Sequence, residues 1–190
     1  MSAHALRLAQ GVADLSDNVL AEAVAYAEEG EKFKEYAIDR TPAIAVVGER
    51  DCGIRFYGVP GGHELESLVA AIRLASAGDS GLSAASRKAL AGLAVPVRIE
   101  VFVTLACGFC PEAVTMAHRL AVESDNVSAA MVEVSAFPEA AEQGAVRSVP
   151  KVFVNGEACL EGRRSEDEFV AAVLGAVAAD ASGQDGQRRD

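Results

Sequence analysis

Residues 107–111 read Cys107-Gly108-Phe109-Cys110-Pro111. An apolar run from Val97 to Thr104 precedes them and a helix-like segment from Glu112 to Val122 follows, so the two thiols fall at a strand-to-helix junction. A thiol at a helix start faces unpaired backbone N–H groups and the positive end of the macrodipole. These favour thiolate over thiol and lower its pKa from about 8.5 into the range of roughly 3.5–7.5. Cys107 is therefore the expected nucleophile. Cys110, one turn further in, is placed to attack a mixed disulfide on Cys107 and release the substrate. Pro111 costs little here, because a missing N–H in the first helical turn lacks an intrahelical partner anyway. A Cys-X-X-Cys pair has two other readings, half of a zinc site and a pair of idle buried thiols. Against zinc, Cys52 and Cys159 stand alone and His4, His63 and His118 are scattered, so no second ligand pair has zinc spacing and no metal is expected.

Composition narrows the setting. A chain of 190 residues is one ordinary domain or two small ones, and a hydrophobic fraction of 51% supplies a core. With 28 acidic against 17 basic side chains and no basic cluster, a nucleic-acid surface is not expected. No apolar run reaches bilayer length, and Met1 to Arg7 has neither a basic nor an extended apolar region, which argues against membrane insertion and secretion. Four cysteines are too few for a disulfide scaffold, so a reducing, cytoplasmic compartment is expected.

In order, the chain reads as a helix over 3–15, a strand from Val19 to Tyr26 and a short amphipathic helix from Glu28 to Tyr36. Thr41-Pro42 opens a strand, Ala43 to Val47, whose hairpin partner runs from Ile54 to Val59; His63 to Ser76 is a helix. Ala77-Gly78-Asp79-Ser80-Gly81 is a small, polar, flexible seam, and Ser83 caps a short helix to Leu90. The grammar then repeats: strand Val97–Val103, helix Glu112–Val122, strand Ala129–Val134, helix Pro138–Gln143 and strand Lys151–Val154. The Asn155-Gly156 turn leads to a return arm from Glu157 to Leu160. Ser165-Glu166-Asp167-Glu168 is a capping box opening a last helix with Phe169, Val170, Val173, Leu174 and Val177 on one side, and Ser182 to Asp190 reads as disordered.

Ala37-Ile38-Asp39-Arg40-Thr41-Pro42-Ala43-Ile44 aligns with Ala145-Val146-Arg147-Ser148-Val149-Pro150-Lys151-Val152 at an offset of 108 residues. At that offset Cys110 falls on Ser2 and Cys107 before Met1. The first half is thus expected to lack its own first strand and dithiol, and to perform no redox chemistry alone.

The order strand, CxxC, helix, strand, helix, Xaa-Pro, hairpin, helix resembles the thioredoxin and glutaredoxin family. Two such units, with Gly53 to Glu64 closing the first, resemble the cytoplasmic protein disulfide oxidoreductases built from two fused units, and the N-terminal redox domain of the alkyl hydroperoxide reductase flavoprotein is similar in plan. The resemblance implies an α/β fold of two tandem thioredoxin-fold units, the first lacking its first strand and CxxC. It divides the chain into a truncated unit over 1–78, a linker with a short helix over 79–94, a complete redox unit over 95–180 and a disordered tail over 181–190. It also implies that Pro150 is cis and packs beside the dithiol, that Val149 offers its backbone to an extended peptide, and that Thr41-Pro42 shares the geometry as a relic. A missing central strand would leave unpaired backbone groups, to be met by Val19–Tyr26 shifting onto Ala43–Val47 or by a neighbouring chain, with association with a second copy expected.

Other residues complete the reading. Gly108 and Pro111 shape the active-site loop, and Phe109 is expected as an apolar substrate contact, the alternative being a ring folded onto its own unit. Glu100, on the strand below the site, is a candidate for proton transfer to the second cysteine, or else a solvated strand residue. Cys52 and Cys159 read as small core hydrophobes, His118 as an ordinary surface residue and His63 as a local hydrogen-bonding group. The leading function implied is a thiol–disulfide oxidoreductase that reduces or exchanges protein disulfides and takes electrons from a thioredoxin-reductase-like flavoenzyme. The chain has no Rossmann glycine fingerprint, so no cofactor of its own is expected. Two alternatives compete: a glutaredoxin-like iron–sulfur carrier, suggested by Cys-Gly-Phe-Cys but weakened by Glu161-Gly162-Arg163-Arg164 after the hairpin, and a redox-inert binding module.

Overall fold

Val97–Val103 (β3) is the middle of the sheet, and its alternation sorts its side chains between two cores. Ile99, Val101 and Val103 enter one, while Phe102 enters the other. The computed structural model describes residues 2–25 and 30–186. Around β3 stand β1 (Ala43–Val46), β2 (Ile54–Tyr57), β4 (Val127–Glu133), β5 (Lys151–Val154) and β6 (Glu157–Glu161), in the spatial order β1-β2-β4-β3-β5-β6. β3 is parallel to β4 and antiparallel to β5, and the hairpins β1–β2 and β5–β6 close the two ends. β2 joins β4 in parallel, so one sheet runs through both halves of the chain. The fold is that of a thioredoxin-like α/β protein.

The helices are α1 (Ser2–Ala13), α2 (Gly30–Glu35), α3 (Glu64–Ala77), α4 (Ala84–Leu90), α5 (Cys110–Glu123), α6 (Pro138–Gln143) and α7 (Glu166–Gly186). α3, α5 and α7 cover the larger core with Leu68, Leu120 and Phe169, each worth about 1.5–3 kcal/mol of burial. The smaller core, on the opposite face, packs Tyr57, Phe102, Val132 and Phe153 with Ala141 of α6.

The capping expectations hold locally. Ser83 Oγ accepts from the Ser86 amide at 3.2 Å, and Glu168 Oε2 accepts from the Ser165 amide at 2.9 Å. Three expectations change. Residues 19–25 form no strand, and Tyr26 lies outside the described residues; among the described residues no strand pairs with Val19–Ala25, and β1 pairs with β2 alone. The seam at 77–81 is anchored, because Ser80 is buried and its carbonyl accepts from Arg119 Nε at 2.8 Å. α7 continues to Gly186, beyond the expected boundary at 180, while residues 187–190 lie outside the described residues.

Candidate active site

β3 ends at Val103, and after a short turn the chain enters α5 at Cys110, two residues earlier than the apolar pattern suggests. Phe109 takes the N-cap position without a side-chain cap, and Pro111 sits in the first turn. The first-turn amides of α5 therefore have no side-chain oxygen at the cap and point toward the loop that carries the sulfurs.

Cys107 and Cys110 are joined as a disulfide with their Cα atoms 5.5 Å apart. The two sulfurs differ in access. Cys110 is fully buried, whereas Cys107 is half-exposed beside exposed Gly108. Only Cys107 presents itself to an incoming group. Val149-Pro150 is cis, Pro150 is buried, and Cys107 Sγ lies 3.9 Å from the Val149 carbonyl oxygen, so Val149, Pro150 and the dithiol share one mouth. Phe109 is 61% exposed there, an apolar ring in solvent instead of folded onto the protein. Thr41-Pro42 is also cis.

Glu100 does not join this group. Its strand neighbours are Ala130 and Phe153, both in the smaller core, so it points to the face opposite the dithiol. There Arg40 Nη2 donates to its carboxylate at 2.7 Å and Arg98 Nη2 at 3.0 Å. Burial pushes the Asp39 carboxyl up, but Arg40 and Arg98 outweigh it and hold it at about 2. Arg40 also stacks on Tyr57 at 4.7 Å, and the bonds from Arg40 to Glu100 and from Arg98 to Asp39 make the cluster a tie between the halves. Proton transfer by Glu100 is thereby corrected to an ion-pair role.

Among the described residues two carboxyls are buried on the dithiol side: Glu133, which accepts from the Ser135 and Ala136 amides at 3.0 and 2.7 Å, and Glu64, a residue that the sequence pattern alone does not single out. Glu64, Ser67, Leu68, Ala71 and Ala75 form the buried stripe of α3, the side from which Leu68, Ala71 and Ala75 enter a core shared with α5. Glu64 is 0% exposed; Ser67 Oγ donates to Oε2, while Oε1 has no hydrogen-bond partner among the described residues. Burial raises this carboxyl to about 7, with the Ser67 bond opposing. α3 starts against the active-site loop: the His63 amide donates to the Leu105 carbonyl at 3.1 Å, and a Cβ on Gly62, at φ 56°, would stand 2.5 Å from that oxygen. His63 thus bonds through its backbone, and its ring is exposed. The signal for Glu64 lay in its spacing to Ser67, Leu68 and Ala71 on one helical stripe.

His118 is corrected from surface to core. It shares a stripe of α5 with Cys110, Val114 and Ala121, is 0% exposed, and meets the Phe56 ring edge-on at 5.0 Å. Neither ring nitrogen has a hydrogen-bond partner among the described residues. Burial takes its pKa down to about 3, the Arg55 backbone offsetting only part, so the ring is neutral. Cys52 is buried in the larger core, and half-buried Cys159 packs against it with burial raising its thiol to about 11, so both behave as hydrophobes. Among the described residues no three His, Cys, Asp or Glu side chains gather as a metal set, and no helix is long and apolar enough to cross a membrane.

Comparison with known proteins adds the following. Residues 97–175 match the thioredoxin domain family. The alkyl hydroperoxide reductase component AhpF of Pseudomonas aeruginosa is 33% identical over 132 residues, covering 69% of this chain and 25% of that protein. A Bacillus subtilis NADH dehydrogenase is 29% identical over 170 residues, covering 87% and 33%. The chain thus spans about a quarter to a third of the length of these curated relatives. Among solved structures, the N-terminal domain of AhpF from Enterococcus faecalis superposes with a TM-score of 0.84 at 30% identity, covering 90% of this chain and 83% of that one. A protein disulfide oxidoreductase from Aeropyrum pernix gives 0.71 at 32% identity, covering 78% and 65%.

Proposed function

Because this chain belongs to the thioredoxin-like oxidoreductase family, we propose that it reduces or exchanges protein disulfides through Cys107 and Cys110, recharged by a thioredoxin-reductase-like flavoenzyme. The observation that carries this reading is the pairing of a half-exposed Cys107 with a fully buried Cys110 beside the cis Val149-Pro150 bond. In the reduced state the Cys107 thiolate attacks one sulfur of a substrate disulfide and expels the other as a thiolate. The substrate segment lies along Val149, with Phe109 as its apolar contact. Cys110 then loses its proton and attacks the Cys107 sulfur, which closes the intramolecular bridge and releases the second substrate thiolate. Two electrons pass to the substrate, whose two thiolates take up one proton equivalent to that lost by Cys110 and a second from solvent. Glu64, with its carboxyl near 7 and one oxygen free, is the group suited to take and return the Cys110 proton.

The names of the relatives, a hydroperoxide reductase component and an NADH dehydrogenase, support the flavoenzyme as electron donor. Within this reading residues 1–78 are a unit without a CxxC pair, 79–94 a connector and 95–180 the redox unit, working in the cytoplasm. The outer side of β1, which among the described residues has β2 as its only strand neighbour, is where a second copy would add, and sedimentation of the purified chain tests it.

The deciding experiment is insulin disulfide reduction with a chemical reductant, together with the reduction potential of the Cys107–Cys110 pair. Turnover lost in Cys107→Ser supports the reading. A colourless protein that reduces nothing, with Cys107 alkylated no faster than a surface thiol, would establish an inert module. A coloured protein as isolated would favour the iron–sulfur carrier.

A further inference from the structure

The walls of the mouth differ in chemistry. On one side the Gly162 amide donates to the Pro150 carbonyl at 2.8 Å and Ser148 Oγ to Glu161 Oε2 at 2.8 Å, so residues 161–164 run alongside the cis-proline. Arg163 Nε reaches Glu112 Oε2, in the first turn of α5, at 2.6 Å. Arg147, two residues before Val149, and Arg163 and Arg164 are all exposed. Arg147 and Arg164 form no ion pair among the described residues; Arg164 Nη1 donates to the Arg163 carbonyl at 2.8 Å. The carboxylates of this wall are engaged: Glu112 by Arg163, and Glu161 by Ser148 and by Lys151 at 3.2 Å. Glu168 lies further along, held low first by the Ser165 amide and hydroxyl and only last by Arg164. On the other side Phe109, 61% exposed at the loop, and Leu65, 38% exposed at the start of α3, are apolar, with exposed Glu66 beside Leu65.

In a chain of net charge -11, three arginines near the accessible sulfur of the dithiol, of which only Arg163 is in an ion pair among the described residues, run against the average. We infer that the mouth selects disulfides whose flanking chain is acidic and carries an apolar residue, with the apolar side chain on Phe109 and the carboxylates toward Arg147, Arg163 and Arg164. This rests on the disulfide-exchange reading above and adds the substrate class to it. The overall charge repels an acidic partner at long range, whereas the rim acts within a Debye length of about 8–10 Å. Selection therefore follows the local flanks of the disulfide and not the net charge of the protein that carries it.

The test uses the full chain, reduced chemically, and two peptide disulfides identical except for aspartates or lysines beside an apolar residue. At low ionic strength the acidic peptide is reduced about tenfold faster, and the ratio shrinks as salt is raised. Arg147→Glu and Arg164→Glu, which break no ion pair, each lower the ratio, and together they reverse it. Equal rates at low salt, or a preference for the lysine peptide, would overturn the inference and leave the oxidoreductase reading standing. Failure to reduce either peptide, or a small neutral disulfide, would strike that reading itself.

Discussion

Around Pro42 and around Pro150 the backbone follows the same path. Ala37 and Ala145 both take positive φ, 49° and 47°, each at the end of a short helix closed by matching amide–carbonyl bonds. A cis Xaa-Pro bond follows in both, then a strand and its antiparallel return, and the Pro42 and Pro150 carbonyls accept from Gly58 at 2.9 Å and Gly162 at 2.8 Å. The two regions part at the sulfur. Pro150 stands beside Cys107, and the disulfide among the described residues lies there. The proline hairpin is therefore a frame, and chemistry appears only where a strand-to-helix junction brings thiols to it. The first region contributes differently: through Gly62 and His63 it abuts the loop that leads to the dithiol of the second.

The largest expected effect separates the sulfurs. Cys107→Ser abolishes disulfide reduction, while Cys110→Ser accumulates a mixed disulfide with substrate, visible on a non-reducing gel. Turnover surviving in Cys107→Ser would make the buried sulfur the nucleophile and erase the asymmetry.

Next comes the carboxyl that the first region lends. Glu64 has a folded pKa raised from 4.5 to about 7, so its contribution to stability is fully present below about 4.5 and is lost as pH rises through 7. At about 1.36 kcal/mol per unit the loss is on the order of 3 kcal/mol, and Glu64→Gln flattens that slope in denaturant titrations at pH 5 and pH 8. The same variant shifts the pH dependence of Cys110 alkylation after Cys107 is blocked. A slope and an alkylation profile both unchanged would remove Glu64 from the site.

Gly62→Ala tests the contact itself. A side chain at positive φ, pressed against the Leu105 carbonyl, costs about 2–3 kcal/mol and displaces the dithiol loop, so the midpoint of urea unfolding and the turnover fall together. Wild-type values would mean that the two regions merely touch.

The smallest effect has the opposite sign in pH. His118 is depressed from 6.5 to about 3, so its contribution is present above 6.5 and is lost as pH falls toward 3, about 2 kcal/mol by pH 5. His118→Leu abolishes that fall in a thermal melt series. A melt series in which both proteins fall alike would locate the acid sensitivity elsewhere.

The dithiol, the capping box at Ser165 and the offset between Pro42 and Pro150 were readable along the chain as local patterns: a thiol pair at a helix start, a repeated stretch around proline, a hydroxyl three residues before a carboxylate. The cis geometry of the two prolines was instead what the resemblance to the thioredoxin and glutaredoxin family implied. Burial was not readable in the same way, because it depends on what a distant segment brings. Cys110 and Cys107 differ in access because α5 presses one face onto the sheet, and the Glu64 carboxyl has a raised pKa because α3 turns it inward on the stripe of Leu68 and Ala71. Glu100 left the site through the two-residue alternation of β3, which settles a face only once the dithiol's own face is known. Val19–Ala25 failed as a strand for the complementary reason, that a ladder needs a neighbour and tertiary structure supplied none.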